Sequence, residues 1–129
     1  MRTWSLEEIE REMDELDRMG YDLLELPDGQ VLAFEWDEAK ALENEKKHDV
    51  PFRIAMYVFA DGYRIERYDD LHSTEEEDRW ITIGCVPNAK GRILYVVYTE
   101  RFRTDMGLSY RLISARKASP KEVALYHGQ

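Results

Sequence analysis

Between Asp37 and Asp49 the segment EAKALENEKKH sets Lys40, Asn44, Lys47 and His48 at offsets of 0, 4, 7 and 8, which places their side chains along one face of a helix. Such a face is rich in hydrogen-bond donors. Lysines and an asparagine can hold phosphate oxygens, and an imidazole exchanges a proton near neutral pH. The same residues also fit a plainer role, because cations close to a helix C-terminus offset its dipole and Lys47 can pair with Glu43.

A second set of candidates lies late in the chain, where Arg101, Arg111, Arg116 and Lys117 fall in β-like runs. Strand alternation puts Tyr95, Val97, Thr99 and Arg101 on one side of their run, with Leu94, Val96, Tyr98 and Glu100 on the other. In the last run Arg111, Ile113, Ala115 and Lys117 alternate with Leu112, Ser114 and Arg116, so the three arginines need not all point the same way. Arginines brought together from neighbouring strands would grip a phosphodiester through forked hydrogen bonds and stabilise charge that develops during its cleavage. Arginines paired with nearby carboxylates, for which Glu100 and Asp105 are the local choices, would instead be structural.

Other chemistries have little support in the sequence. His48, His72 and His127 are far apart, a lone Cys85 makes no zinc knuckle, and Asp69-Asp70 lacks the pattern of a calcium loop. Neither a Gly-rich phosphate loop nor a nucleophile elbow is present. Catalysis, if there is any, is expected to need no metal and no cofactor, and Cys85, inside an apolar run, reads as a buried inert thiol.

The elements that must position these groups can be read from local signals. Ser5-Leu6-Glu7-Glu8 is a capping box that opens a helix with an apolar stripe of Ile9, Met13 and Leu16, and Gly20 is placed to end it. That stripe is expected to be buried in the protein's own core or, failing that, to mediate assembly. Pro27-Asp28-Gly29 lies between two β-leaning runs, 21–26 and 30–34, and predicts a hairpin. Asp37 caps the polar helix, and Asp49-Val50-Pro51 stops it and starts another whose buried side is Phe52, Ala55, Met56 and Phe59. A strand is expected within 62–68, and then an exposed loop, 69–78, whose run Glu75-Glu76-Glu77-Asp78 reads as solvated. Three strands follow at 79–86, 93–101 and 109–117. The first two are joined through a turn at 87–91, and the middle one, apolar on both faces, is expected to be central in an antiparallel meander. Ser119-Pro120-Lys121-Glu122 is a second capping box, which opens a C-terminal helix.

Composition fits a packed, single-domain protein. The 129 residues are 43% hydrophobic and 35% charged, with a mean hydropathy of -0.62. No run approaches the roughly 20 apolar residues that cross a bilayer, and the start lacks the apolar stretch of a secretory signal, which predicts a cytoplasmic protein with no membrane partner. The net charge of -9 hides a division: residues 1–78 carry 24 acidic against 9 basic side chains, and residues 79–129 carry 3 against 9. Such asymmetry hints at a surface that faces a polyanion, although a basic half that simply neutralises the acidic half would give the same counts.

Several of these residues together resemble one family. Phe34-Glu35-Trp36-Asp37, Lys40, Asn44, Lys47-His48, Val50 and Phe52, then Arg79, Ile81 and Ile83-Gly84, then Val96-Val97-Tyr98-Thr99-Glu100-Arg101, and Arg111 with Ile113-Ser114-Ala115-Arg116-Lys117-Ala118 are similar, in order and spacing, to the BrnT toxins of type II toxin–antitoxin systems. The resemblance covers residues 34 to about 126. It implies a RelE-like α+β fold with an antiparallel twisted sheet of about four strands, two or three helices, and an additional N-terminal helix and hairpin. In domain terms, residues 1–30 are expected to be an extension packed on a toxin domain of residues 31–129. It also implies a metal-independent ribonuclease, in which the ribose 2′-hydroxyl attacks the adjacent phosphate. The implied partners are an RNA substrate and a BrnA-type antitoxin, with DNA reached only through that antitoxin.

On this likeness Arg101 and Arg116 are expected to bind the phosphate or its transition state, and His48 or Glu100 to move the proton. Lys40, Asn44, Lys47, Arg79, Arg111 and Lys117 are expected to line the RNA groove. Asp49 stands where the family usually has glycine, so the helix exit is expected to differ. Residues 1–33 are a longer extension than usual, and the segment from Phe102 to Leu108 lengthens the connection before the last strand. Two other readings remain open from the residues: a non-catalytic module of the same fold that docks an acidic segment, and an interaction protein that assembles through its N-terminal stripe.

Overall fold

The computed structural model describes residues 3–87, 91–103 and 107–129, with only the backbone of Glu12 and Leu16. The expected turn at 87–91, the carboxylate of Asp105 and the side chain of Leu16 therefore lie, in whole or in part, outside the described residues.

The capping box forms as expected, the Ser5 hydroxyl accepting from the Glu8 backbone N–H at 3.2 Å, and α1 runs over Leu6–Asp17. Gly20 does not end it. β1 has already begun at Met19, and Gly20 lies opposite Trp36 in the β1–β2 hairpin, formed by Met19–Glu25 and Val31–Asp37. A Cβ on Gly20 would sit 2.2 Å from Trp36 Nε1, so the glycine is there to let the indole, only 2% exposed, lie across the backbone. Gly29, at φ 89°, and the Asp28 carboxylate, which accepts from Gln30 N–H, close the hairpin.

Asp37 caps α2, Glu38–His48, by accepting from Lys40 N–H at 3.0 Å. The helix ends on Asp49 at φ 57°, so the exit keeps the left-handed geometry a glycine would adopt, with an aspartate bearing the strain. Pro51 then leads into α3, Phe52–Ala55, and a 3-10 turn, Met56–Ala60. Strands β3 (Ile65–Tyr68), β4 (Trp80–Val86), β5 (Arg92–Arg103) and β6 (Gly107–Lys117) follow, then α4 (Pro120–His127) behind the Ser119/Glu122 capping box.

The fold is α+β, but among the described residues the sheet has six strands in the order β1-β2-β6-β5-β4-β3 and is mixed, where about four antiparallel strands with a separate N-terminal hairpin were expected. The N-terminal hairpin joins the sheet edge-on, and β2 runs parallel to β6 through Phe34↔Tyr110 and Glu35↔Arg111. A parallel neighbour needs a long crossover, and the whole chain between these two strands supplies it. The predicted antiparallel run β4–β5–β6 is present, with β5 interior.

One face of the sheet holds the core. Leu94, Val96 and Tyr98 of β5 are buried against Phe52, Ala55, Met56 and Phe59, with ring centroids of Phe59 5.0 Å from both Tyr98 and Phe34. The other face, with Tyr95, Val97, Thr99, Arg101 and Arg103, is more open. Of the N-terminal stripe Ile9 and Met13 are 43% and 59% exposed, so for these two described members the expected burial is not observed; Leu6 of the same helix is 71% exposed. Cys85 is only partly buried.

Candidate functional site

A β-bulge decides which arginines share the open face. The β5–β6 register slips between Val97 and Tyr98: Val97 lies opposite Ser114, and Tyr98 opposite Leu112. Ile113 is the extra residue. Inserting one residue reverses the alternation beyond it, so Arg111, opposite Thr99, and Arg116, opposite Tyr95, both stand on the Arg101 side despite their different parity in sequence. Sequence parity left their directions open, and this slip sets them on one face.

Sharing a face does not bring them to one place. Lys40 from α2, Arg79 just before β4, Arg101 from β5 and Arg111 from β6 line a hollow of about 290 Å³, together with Thr99 and the carboxylates of Glu15, Asp37 and Glu77. Lys40 and Ile113 also line an adjoining hollow of about 560 Å³, which holds Lys47, His48 and Ser114. In the other direction Arg111, Asp37 and Glu15 are shared with a hollow of about 640 Å³ lined by Arg11, Arg18, Arg103 and Phe102. Shared lining residues join the three into one groove, and each hollow holds at least one of the predicted cations.

Three predicted residues stand elsewhere. The Arg116 guanidinium lies 3.9 Å over the Tyr95 ring and holds Glu122 through two hydrogen bonds of 2.8 and 3.0 Å. It locks the start of α4 and lines none of these hollows. Lys117 is exposed at the end of β6, and Glu100, opposite Tyr110, projects from the face away from Arg101. Asn44 reaches the groove but is 7% exposed. Its amide donates to the carbonyls of Ala115 (2.9 Å) and Val50 (3.1 Å), while its carbonyl accepts from Ala115 N–H. Past Arg111 β2 no longer pairs with β6, and the Asn44 side chain takes over that strand edge like one more peptide group.

The groove is electrostatically prepared rather than simply positive. Glu77 of the acidic loop is not solvated as expected. It accepts from Arg79 Nε and Arg101 Nη2, each at 2.8 Å, and hydrogen bonds from Arg101, then Arg79, hold its carboxyl below the usual range despite partial burial. Each arginine thereby keeps a fixed orientation and other N–H groups for a ligand. Thr99 is tied to the same loop, its hydroxyl donating to the Asp78 carbonyl at 2.6 Å. Among the described residues Lys40 makes no ion pair.

Sequence reasoning missed Arg103, Glu15 and the buried Glu35. Arg103 Nε donates to Glu35 Oε1 at 2.8 Å and Nη2 to Glu35 Oε2, while Arg103 Nη1 and Arg111 Nη1 reach Glu15 at 3.4 and 2.5 Å. The signal for Arg103 was its place two residues after Arg101, on the same side of a strand that was expected to stop at 101. Glu35 gave none, because a fully buried glutamate between Phe34 and Trp36 has no local signature.

A family model described as ribonuclease toxin, BrnT, of type II toxin-antitoxin system matches residues 36–122, more than half of the chain. A comparison with curated proteins finds no match. The matched segment supplies every cation of the central and the His48-bearing hollows; α1 and β1 precede it.

Proposed function

Since the chain belongs to the BrnT family of ribonuclease toxins from type II toxin–antitoxin systems, we propose that the groove on the open face of its sheet is where it grips and cuts RNA in the cytoplasm, without a metal. The observation that carries this reading is the convergence of Lys40, Arg79, Arg101 and Arg111, from α2, the loop before β4, β5 and β6, on one hollow. A phosphodiester held there meets forked donors already oriented by Glu77, which favours charge that builds on the non-bridging oxygens over charge already present. The ribose 2′-hydroxyl attacks the adjacent phosphorus and the bond to the next nucleotide's 5′-oxygen breaks, leaving a 2′,3′-cyclic phosphate and a 5′-hydroxyl. The proton lost by the 2′-hydroxyl needs an acceptor and the departing oxygen a donor. His48, in the adjoining hollow beside Lys47, is the side chain suited to that exchange.

The proposed partners are single-stranded RNA and a BrnA-type antitoxin that covers the groove and carries any DNA binding of the pair. No described helix is long and apolar enough to cross a membrane. A second reading rests on the ion pairs: with Arg79, Arg101 and Arg111 already facing carboxylates, the groove would dock an acidic partner segment without cutting RNA.

The test is purified protein incubated with 5′-labelled RNA in EDTA. Fragments ending in cyclic phosphate, reduced at least tenfold by Arg101→Ala and abolished by the co-expressed antitoxin, are expected. Intact RNA, or equal cleavage by the variant, would remove the groove from the chemistry.

A further inference from the structure

Four charged side chains meet at the end of the groove nearest α1, and three of them are largely enclosed. Glu35 is fully buried, and the side chains of Arg103 and Arg111 are 9% and 19% exposed. Glu35 takes both Nε and Nη2 of Arg103 and lies 3.8 Å from Arg111 Nη1. Two enclosed cations against one enclosed anion leave a positive charge that must be met, because an uncompensated charge out of water is costly. Glu15 meets it, with one carboxylate oxygen on each arginine. It is the most exposed of the four, at 35%, and the only one contributed by α1. The helix that carries it precedes the family-matched segment and leaves Leu6, Ile9 and Met13 exposed, so apolar burial does little to hold it down.

We propose that Arg103 and Arg111 form a second phosphate subsite of the RNA groove, and that Glu15 occupies it as a stand-in carried by the protein's own first helix. This rests on the reading of the groove as an RNA site. The exchange is balanced: one carboxylate charge leaves and one phosphodiester charge arrives between the same two Nη1 groups, while Glu35 keeps Arg103 in place throughout. Arg111 lines both this hollow and the central one, so a strand gripped at Arg101 continues into the subsite. α1 is then a plug, and RNA long enough to need the second subsite must lift it.

The test measures binding of fluorescent 2′-O-methyl RNA, which cannot be cut by 2′-hydroxyl attack, to the full-length protein. Glu15→Gln is expected to tighten a 12-mer at least fivefold and to steepen the dependence of log Kd on log salt by about 0.7, the increment for one further phosphate on a single strand. Glu15→Asp, which keeps the charge, should gain less than twofold, and a dinucleotide should bind both proteins alike. If Arg101→Ala weakens the 12-mer but Glu15→Gln changes neither affinity nor salt slope, the plug is overturned and the RNA reading stands. If no protein binds RNA, both fall together. An equal gain in Glu15→Asp would also overturn the proposal, because the effect would then follow helix packing rather than charge.

Discussion

The side-chain amide of Asn44 pairs with the backbone of Ala115 at both ends, Nδ2 donating to the carbonyl at 2.9 Å and Oδ1 accepting the N–H at 3.1 Å, across 71 residues of sequence. A residue whose type and spacing suit phosphate binding is thus used to close an open strand edge. Asn44→Ala leaves buried peptide groups of Ala115 and Val50 without partners, at about 1–3 kcal/mol for each unsatisfied group. With three such groups orphaned, urea unfolding is expected to show a loss of about 3 kcal/mol or more, and a loss below about 0.5 kcal/mol, within the range of an ordinary surface substitution, would return Asn44 to the list of RNA contacts.

Arg101 and Arg116 part company. Arg116→Ala should leave RNA cleavage within about threefold of the parent and reduce stability by about 1 kcal/mol, through its lost pairing with Glu122 and its lost stacking on Tyr95. Arg101→Ala should do the reverse. Cleavage rates and urea midpoints measured on the same two preparations decide it, and a large activity loss in Arg116→Ala would move the site toward α4.

Acid stability follows from carboxylates held by arginines. Glu77 and Glu122 are lowered chiefly by hydrogen bonds from Arg101 and Arg116; in Glu15 and Asp61 burial opposes the charge, but hydrogen bonds, from Arg111 and from Cys85 N–H first among them, outweigh it. A carboxyl whose pKa is depressed by folding stabilises fully above its unfolded value, 4.5 for glutamate and 3.8 for aspartate, and loses that contribution as pH falls through the folded value. Denaturation midpoints should therefore be flat from pH 7 down to about 5.5 and fall below 4.5. Glu77→Gln should start lower and fall less steeply, and an identical slope would show that the pairing is too weak to matter.

Gly20→Ala tests the seat of Trp36. The new methyl would fall 2.2 Å from Trp36 Nε1 and 2.6 Å from Cε2, rigid ring atoms that cannot give way as a flexible chain would. Overpacking of this kind costs roughly 1–3 kcal/mol, and the tryptophan emission should shift to the red as the indole is pushed out. Unchanged emission with unchanged stability would mean that the hairpin slides to accommodate it.

Much of this molecule was legible locally. Ser5, Asp37 and Ser119 announced helix starts because their side chains bond backbone groups three residues on, and Pro27-Asp28-Gly29 announced its turn for the same short-range reason. Lys40, Arg79, Arg101 and Arg111 were picked by residue type and by resemblance, and they do line one hollow. Glu77 looked solvated and Gly20 looked like a helix stop, since Arg101, which holds the first, and the Trp36 indole, which lies across the second, are on strands that local patterning cannot place.

The sequence by itself determined what short-range forces determine: where helices and turns begin, that the run 93–98 is apolar on both faces, and which side chains are candidates for holding phosphate. Tertiary structure alone decided which of those side chains meet. A one-residue slip at Ile113 turned Arg111 and Arg116 to the same face, and a parallel seam of two residue pairs brought Glu35 beside Arg111. Strand register and the pairing of charges 68 to 96 residues apart are settled by the energy of the assembled sheet, to which no stretch of neighbouring residues holds the key.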